Sequence, residues 1–122
     1  LSDESRKQHL NKELGNFQAI IEAESPTTDD LSNMINQFEM LLGHAIVIET
    51  ASGSVLASPN FDQSQLQGAA EKPEGFIHIA QGANTLFGLK RIFSASEKLA
   101  SISVLETEGA LSERPLKAHL TL

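Results

Sequence analysis

Residues 41–58 constrain the fold of this chain more than any other stretch. They begin at the apolar end of a helical pattern, where Gly43 is a natural left-handed stop. Residues 45–48 are apolar and mostly β-branched, so they predict a strand buried on both faces. Gly53 allows a tight turn, and Val55-Leu56-Ala57 returns as the antiparallel partner. The stretch therefore separates a helical part of the chain from a sheet.

Two helices are predicted before this stretch. The first covers residues 2–24, and its opening turns are polar all round, which predicts fraying or packing against a second subunit. The second begins after Pro26, with Thr27 or Thr28 as its N-cap. Apolar residues recur at spacings of three and four in both helices: Leu10, Leu14, Phe17 and Ile21 in the first, and Leu31, Met34, Ile35, Phe38, Leu41 and Leu42 in the second.

The remainder of the chain reads as a short helix, a three-stranded meander and a final helix. The short helix covers residues 61–70 with Asp62 as a cap, and the strands cover residues 76–80, 85–93 and 99–105. The final helix begins at Ser112 and runs to the end of the chain. This order predicts an α+β fold, with a five-stranded antiparallel sheet of two plus three strands and most helices on one face.

Length and composition indicate one compact domain. The 122 residues can bury a single core, in which residues 1–24 form an N-terminal helix and residues 25–122 form the body. The chain begins with Leu1 rather than Met, so we expect it to be a piece of a longer protein. It has no cysteine, which fits a reducing cytoplasm, and no apolar run approaches the roughly 20 residues of a membrane span.

Charge and motif content exclude several classes of function. The net charge is -7 and no Lys or Arg occurs between Lys12 and Lys72, so nucleic acid and anionic membrane surfaces are not expected partners. The four histidines lack metal-site spacing, and neither a phosphate-binding loop nor a nucleophile motif is present. We therefore predict no enzyme activity, no cofactor and no metal. His44 follows a helix C-terminus, where it would interact with the helix dipole.

Several segments resemble the N-terminal sensory region of PucR/CdaR-like transcriptional regulators. They are Ile20-Ile21-Glu22, Leu41-Leu42-Gly43, residues 45–49, Val55-Leu56-Ala57-Ser58, residues 77–89 and Leu111-Ser112-Glu113. The resemblance spans about residues 17–120 and implies a GAF/PAS-like signal-input domain, with DNA binding elsewhere in the protein. It supplies no specific ligand residues.

Three residues of the meander are the candidate ligand-binding residues: His78, Lys90 and Arg91. Strand alternation sends Lys90 and Arg91 to opposite faces of the sheet, so one of them should point toward the apolar side. The pair could supply the counter-charge for a small anionic metabolite. The alternative is a solvated edge strand with packed side-chain stems, and His78 either faces solvent or enters a pocket.

Two functions follow from the sequence. The first is a small-molecule sensor that forms a homodimer through the stripes of its first and last helices. The second is a roadblock/longin-like dimerisation module without a ligand. A sensor should contain an enclosed cavity of a few hundred Å³ between sheet and helices, whereas an interaction module should have a filled core and an exposed apolar sheet edge or helix face. Packing of the first helix on its own sheet is the alternative to its use in a dimer.

Overall fold

A computed structural model describes residues 3–81 and 84–107 of the chain. Residues 82–83, the final helix predicted from Ser112 and His119 lie outside the described residues. Within them the elements follow one another in this order: α1 (Asp3–Glu24), α2 (Thr28–Leu42), β1 (Ala45–Thr50), β2 (Val55–Ala57), α3 (Gln63–Glu71), β3 (Gly75–Gln81), β4 (Asn84–Ile92) and β5 (Leu99–Thr107).

The five strands form one antiparallel sheet in the order β2-β1-β5-β4-β3. The hairpin β1–β2 and the meander β3–β4–β5 join where β1 pairs with β5, with Ile46 opposite Val104. The α+β class and the five-stranded antiparallel sheet are thereby confirmed. Strands β2 and β3 are its two edges.

The N-cap of α2, the end of that helix and the turn of the first hairpin are those that the sequence predicts. Thr27 is the N-cap of α2, because its Oγ1 accepts from the Asp30 amide at 3.1 Å while the Asp30 carboxylate accepts from the Thr27 amide at 3.3 Å. The helix ends at Gly43, whose φ of 70° is left-handed. Gly53 also has a positive φ, 96°, in the turn between β1 and β2.

Helices α1 and α2 cover one face of the sheet, which we call the α1/α2 face. The apolar stripe of α1 packs on this face within the protomer rather than remaining open for a second subunit. The buried residues of this core are Leu10, Leu14, Phe17, Ile21, Leu31, Ile35, Ile46, Ile48, Phe87, Leu89, Leu99, Ile102 and Val104.

Helix α3 covers the other face of the sheet, which we call the α3 face. Asp62 caps the helix as predicted, with its Oδ1 accepting from the Ser64 amide at 2.9 Å. The core beneath α3 is smaller than the one on the α1/α2 face. Its buried residues are Ala45, Val47, Leu66, Ala69, Ile77, Ile79, Leu86 and Leu105.

Strand β5 extends two residues beyond its predicted end at Leu105. The sequence pattern breaks at Glu106 because a carboxylate is not expected on a buried strand position. In the structure Glu106 is buried, lies 3.1 Å from Arg6 Nε and pairs with Phe87 of β4, so the ladder between β4 and β5 continues through it. None of the helices in the described residues combines the length and the apolar character that a membrane crossing requires.

Candidate functional site

A cleft of about 700 Å³ lies between α3 and the β1–β2 hairpin. Its volume falls within the range of small-molecule sites, which is roughly 300 to 1,000 Å³. The walls are apolar on the sheet side and mixed on the helix side. The lining residues are Ser32, Val47, Val55, Leu56, Ala57, Gln63, Leu66, Gln67, Ala70 and Glu71.

The polar groups of the cleft are mainly neutral. Gln63 and Gln67 carry amides, which can both donate and accept hydrogen bonds, and Glu71 is the charged residue among the lining side chains. Gln63 Nε2 already donates to the Ser58 carbonyl at 2.9 Å, so this amide also fixes the start of α3 to the end of β2. Among the described residues that line the cleft, none is a Lys or Arg that could neutralise an anion.

Lys90 lies on the α3 face, where its side chain binds the C-terminal end of α3. Its side chain is buried, and Nζ donates to the carbonyl of Ala70 at 2.8 Å and to that of Ala69 at 3.5 Å. Nζ also lies 3.4 Å from Glu49 Oε1. Cations near a helix C-terminus satisfy carbonyls that lack intrahelical partners. Lys90 therefore fixes the end of α3 to the sheet, next to the cleft but outside its lining.

Arg91 and His78 lie on the opposite face of the sheet. Arg91 donates to Gln18 Oε1 at 3.3 Å and to Asn11 Oδ1, so it joins β4 to α1. His78 is exposed on β3, and its ring lies 4.8 Å from that of Phe87. The predicted alternation of Lys90 and Arg91 is thus observed. The structure does not bring the three candidate residues into one site, and anion binding by them stays a prediction.

A cluster of ionisable side chains lies between α1 and the sheet, and its members Glu13, His44 and Glu106 are buried. His44 Nδ1 lies 2.7 Å from Glu13 Oε2, and His44 Nε2 lies 3.4 Å from Glu106 Oε2. Glu13 Oε1 is 3.0 Å from His9 Nε2, and Arg6 contacts Glu106. We call these five residues the His44 cluster. Arg6 joins the opening turns of α1 to β5 through Glu106, whereas the His9–Glu13 contact lies within α1.

Burial controls the electrostatics of the His44 cluster. Loss of water raises the pKa of Glu106, and the charges of His44 and Arg6 partly oppose that shift. Each nitrogen of His44 faces a carboxylate oxygen, Nδ1 at 2.7 Å from Glu13 and Nε2 at 3.4 Å from Glu106. The described residues contain no group of three or more His, Asp or Glu side chains arranged to bind a metal ion.

The sequence contained a signal for part of this cluster. Arg6 and Glu13 lie four residues before and three residues after Leu10, which places them on the apolar stripe of α1. A charged residue on such a stripe indicates a buried partner. The partners themselves, His44 and Glu106, come from distant segments, and His44 was interpreted only as a residue near a helix dipole.

A pH experiment tests the raised pKa of Glu106. Because the folded protein binds this proton more tightly than the unfolded chain, the contribution of Glu106 to stability should fall as pH rises from about 4.5 through the raised pKa. Glu106→Gln cannot titrate, so the free energy of unfolding of the wild type, relative to that of the variant, should decrease over this window. Urea unfolding from pH 4.5 to 7.5 measures the difference. Parallel curves would contradict the shift.

The chain matches no model of a known protein family, no curated protein and no solved structure.

Proposed function

We propose that this chain is a signal-input domain that binds a small molecule in the cleft between α3 and the β1–β2 hairpin. The observation that carries the proposal is the volume of about 700 Å³ with an apolar floor and two neutral amides. The α+β fold with a five-stranded antiparallel sheet is compatible with a GAF/PAS-like sensor, and the PucR/CdaR-like type rests on the resemblance of the sequence segments alone. In this proposal the protein is a cytoplasmic regulator whose DNA-binding domain lies elsewhere in a longer chain.

The lining favours a neutral ligand over the anion expected from the sequence. An anion that moves from water into the cleft would lose its hydration, and no cation among the described lining residues would replace it. The nearby Lys90 already contacts the end of α3 and Glu49. The Gln67 amide can both donate and accept, and Gln63 can accept through Oε1 because its Nε2 donates to the Ser58 and Phe61 carbonyls, so the two side chains match a planar molecule with adjacent donors and acceptors. Purines and ureides are of this chemistry.

Strand β1 is the physical route from the cleft to the rest of the domain. Val47 lines the cleft, and β1 begins one residue after His44, which is bound to Glu13 of α1. A ligand that favours one position of β1 would shift the population between two arrangements of the domain. The packing of α1 would be biased as a result. In the longer protein this bias would be the output of the domain.

Filling the cleft tests the proposal directly. Gln67→Trp places a large side chain in the cleft from an exposed position on α3, and Asn16→Trp is the matched control on an exposed position of α1. We expect a purine or ureide to raise the melting temperature of the wild type and of the control by about 2 °C or more, and to leave that of Gln67→Trp unchanged.

The readout of this test is a thermal-shift screen of purines, ureides and sugar acids. The chain contains no native Trp, so fluorescence of the indole introduced by Gln67→Trp reports whether that ring is buried in the cleft, independently of stability. A shift that survives Gln67→Trp, or the absence of any shift across the screen, would count against the cleft as a ligand site.

The second candidate is a ligand-free dimerisation module. Its supporting observation is the exposure of large apolar side chains on the outer surfaces of α1 and α2: Ile20, Met40 and Leu41 are 39%, 82% and 82% exposed. Sedimentation across a concentration series separates the two candidates when combined with the ligand screen. A dimer that no compound stabilises would favour the module.

A further inference from the structure

Strand β3 is an unprotected sheet edge. In the described part of the chain it pairs with β4 alone, and its seven residues include neither a formally charged side chain nor a proline. Proteins usually blunt such edges with charge, proline or brevity. The opposite edge follows that rule, because β2 has only three residues and Pro59 follows shortly after it.

We propose that β3 pairs with β3 of a second copy of this chain, antiparallel and about a two-fold axis through His78. The two sheets would then continue as one sheet of ten strands. The proposal does not depend on the cleft being a ligand site. The residues of β3 themselves indicate that the partner at this edge is a second copy of the chain.

When the two-fold axis passes through His78, the side chains that face each other across the axis are compatible in size and charge. His78 is the central residue of Gly75–Gln81, so Phe76 lies opposite Ala80 of the second copy, and Ile77 lies opposite Ile79. Phe76 is 46% exposed, and the small side chain of Ala80 leaves room for its ring. Ile77 and Ile79 face α3, where pairs of β-branched residues stabilise neighbouring strands. No two formal charges of like sign meet across the axis.

A second copy is the occupant that these features favour. An isologous contact needs the same surface on both subunits, which β3 provides about His78, and two-fold dimers are the commonest oligomers. The stripe of α1, the other dimerisation element expected from the sequence, is already buried against its own sheet.

Cysteine cross-linking tests the register, since the chain contains no native cysteine. Directly opposed residues in antiparallel strands have Cα atoms about 4.5 to 5.5 Å apart, which suits a disulfide. We expect His78→Cys in the full chain to form a disulfide dimer with oxidised glutathione. Val55→Cys, on an exposed position of the other edge strand, is the matched control and should stay monomeric on a non-reducing gel.

The neighbouring positions test the register further. Phe76→Cys alone and Ala80→Cys alone should cross-link poorly, because each lies about 13 Å from its own copy across the axis. A mixture of the two variants should cross-link, because Phe76 then faces Ala80. Cross-linking of His78→Cys no better than that of Val55→Cys would overturn the proposal, as would equal cross-linking at all positions.

An equilibrium measurement keeps the proposal testable without oxidation. His78→Lys sets two ammonium groups opposite each other across the axis, so sedimentation should show a dimer dissociation constant at least about tenfold higher than that of the wild type. Val55→Lys should leave it unchanged. A wild type that remains monomeric at high concentration, or a dimer whose dissociation constant is the same in His78→Lys, would overturn the proposal.

Discussion

Gly88→Ala is expected to lower the free energy of unfolding by about 3 kcal/mol or more, and the melting temperature by roughly 10 °C. A Cβ atom at this position would overlap the carbonyl oxygen of Val104 and the side chain of Leu105, and would lie 3.1 Å from the Leu105 Cα. The side chain can rotate, but the carbonyl belongs to the backbone of β5. Relief therefore requires β4 and β5 to move apart in the middle of the sheet.

Gly15→Ala is the matched control for this experiment. Gly15 lies inside α1, and a Cβ atom there would meet nothing within 4 Å. Removing a glycine from a helix interior should stabilise the protein by about 0.5 to 1 kcal/mol. Urea unfolding of both variants gives the comparison. A Gly88→Ala protein as stable as the wild type would mean that β4 and β5 are not packed as described.

Glu13→Gln is expected to cost about 3 kcal/mol, the second large effect. The substitution keeps the size of the side chain but removes a buried negative charge that faces both His44 and His9. His44 would then retain Glu106 as its charged partner, and Glu106 is shared with Arg6. Removal of one member of a buried charge set is costly because the remaining charges stay buried without compensation.

Glu24→Gln provides the control for Glu13→Gln, because it makes the same chemical change at an exposed position of the same helix. It should alter the free energy of unfolding by less than about 0.5 kcal/mol. Hydrogen exchange adds a local readout, since loss of the His44 cluster should reduce protection in the opening turns of α1. Equal stability of the two variants would contradict an anchoring role for the cluster.

The elements that rest on local chemistry could be predicted from the sequence. Thr27, Gly43 and Gly53 act through their own backbone or the next few residues, and a single sequence contains that information. The five strands and their antiparallel arrangement followed from short apolar runs separated by turn residues. Alternation along β4 also placed Lys90 and Arg91 on opposite faces.

The features that join distant segments could not be predicted in the same way. The His44 cluster unites Glu13, His44 and Glu106, and nothing in the local pattern of one residue specifies the other two. The position of Lys90 under the end of α3 depends on how the helix crosses the sheet. For the same reason the cleft involves none of the three residues chosen from the sequence, although it borders the carbonyl that binds Lys90.

The division of the apolar core by the sheet has a consequence for sequence variation. Val104 belongs to the core of the α1/α2 face and its neighbour Leu105 to the core of the α3 face, so the side chains of the two cores meet only through strand backbone. Changes at positions without shared partners tend to be additive. Substitutions among the apolar side chains under α3 should therefore change stability nearly independently of substitutions among those that pack against α1.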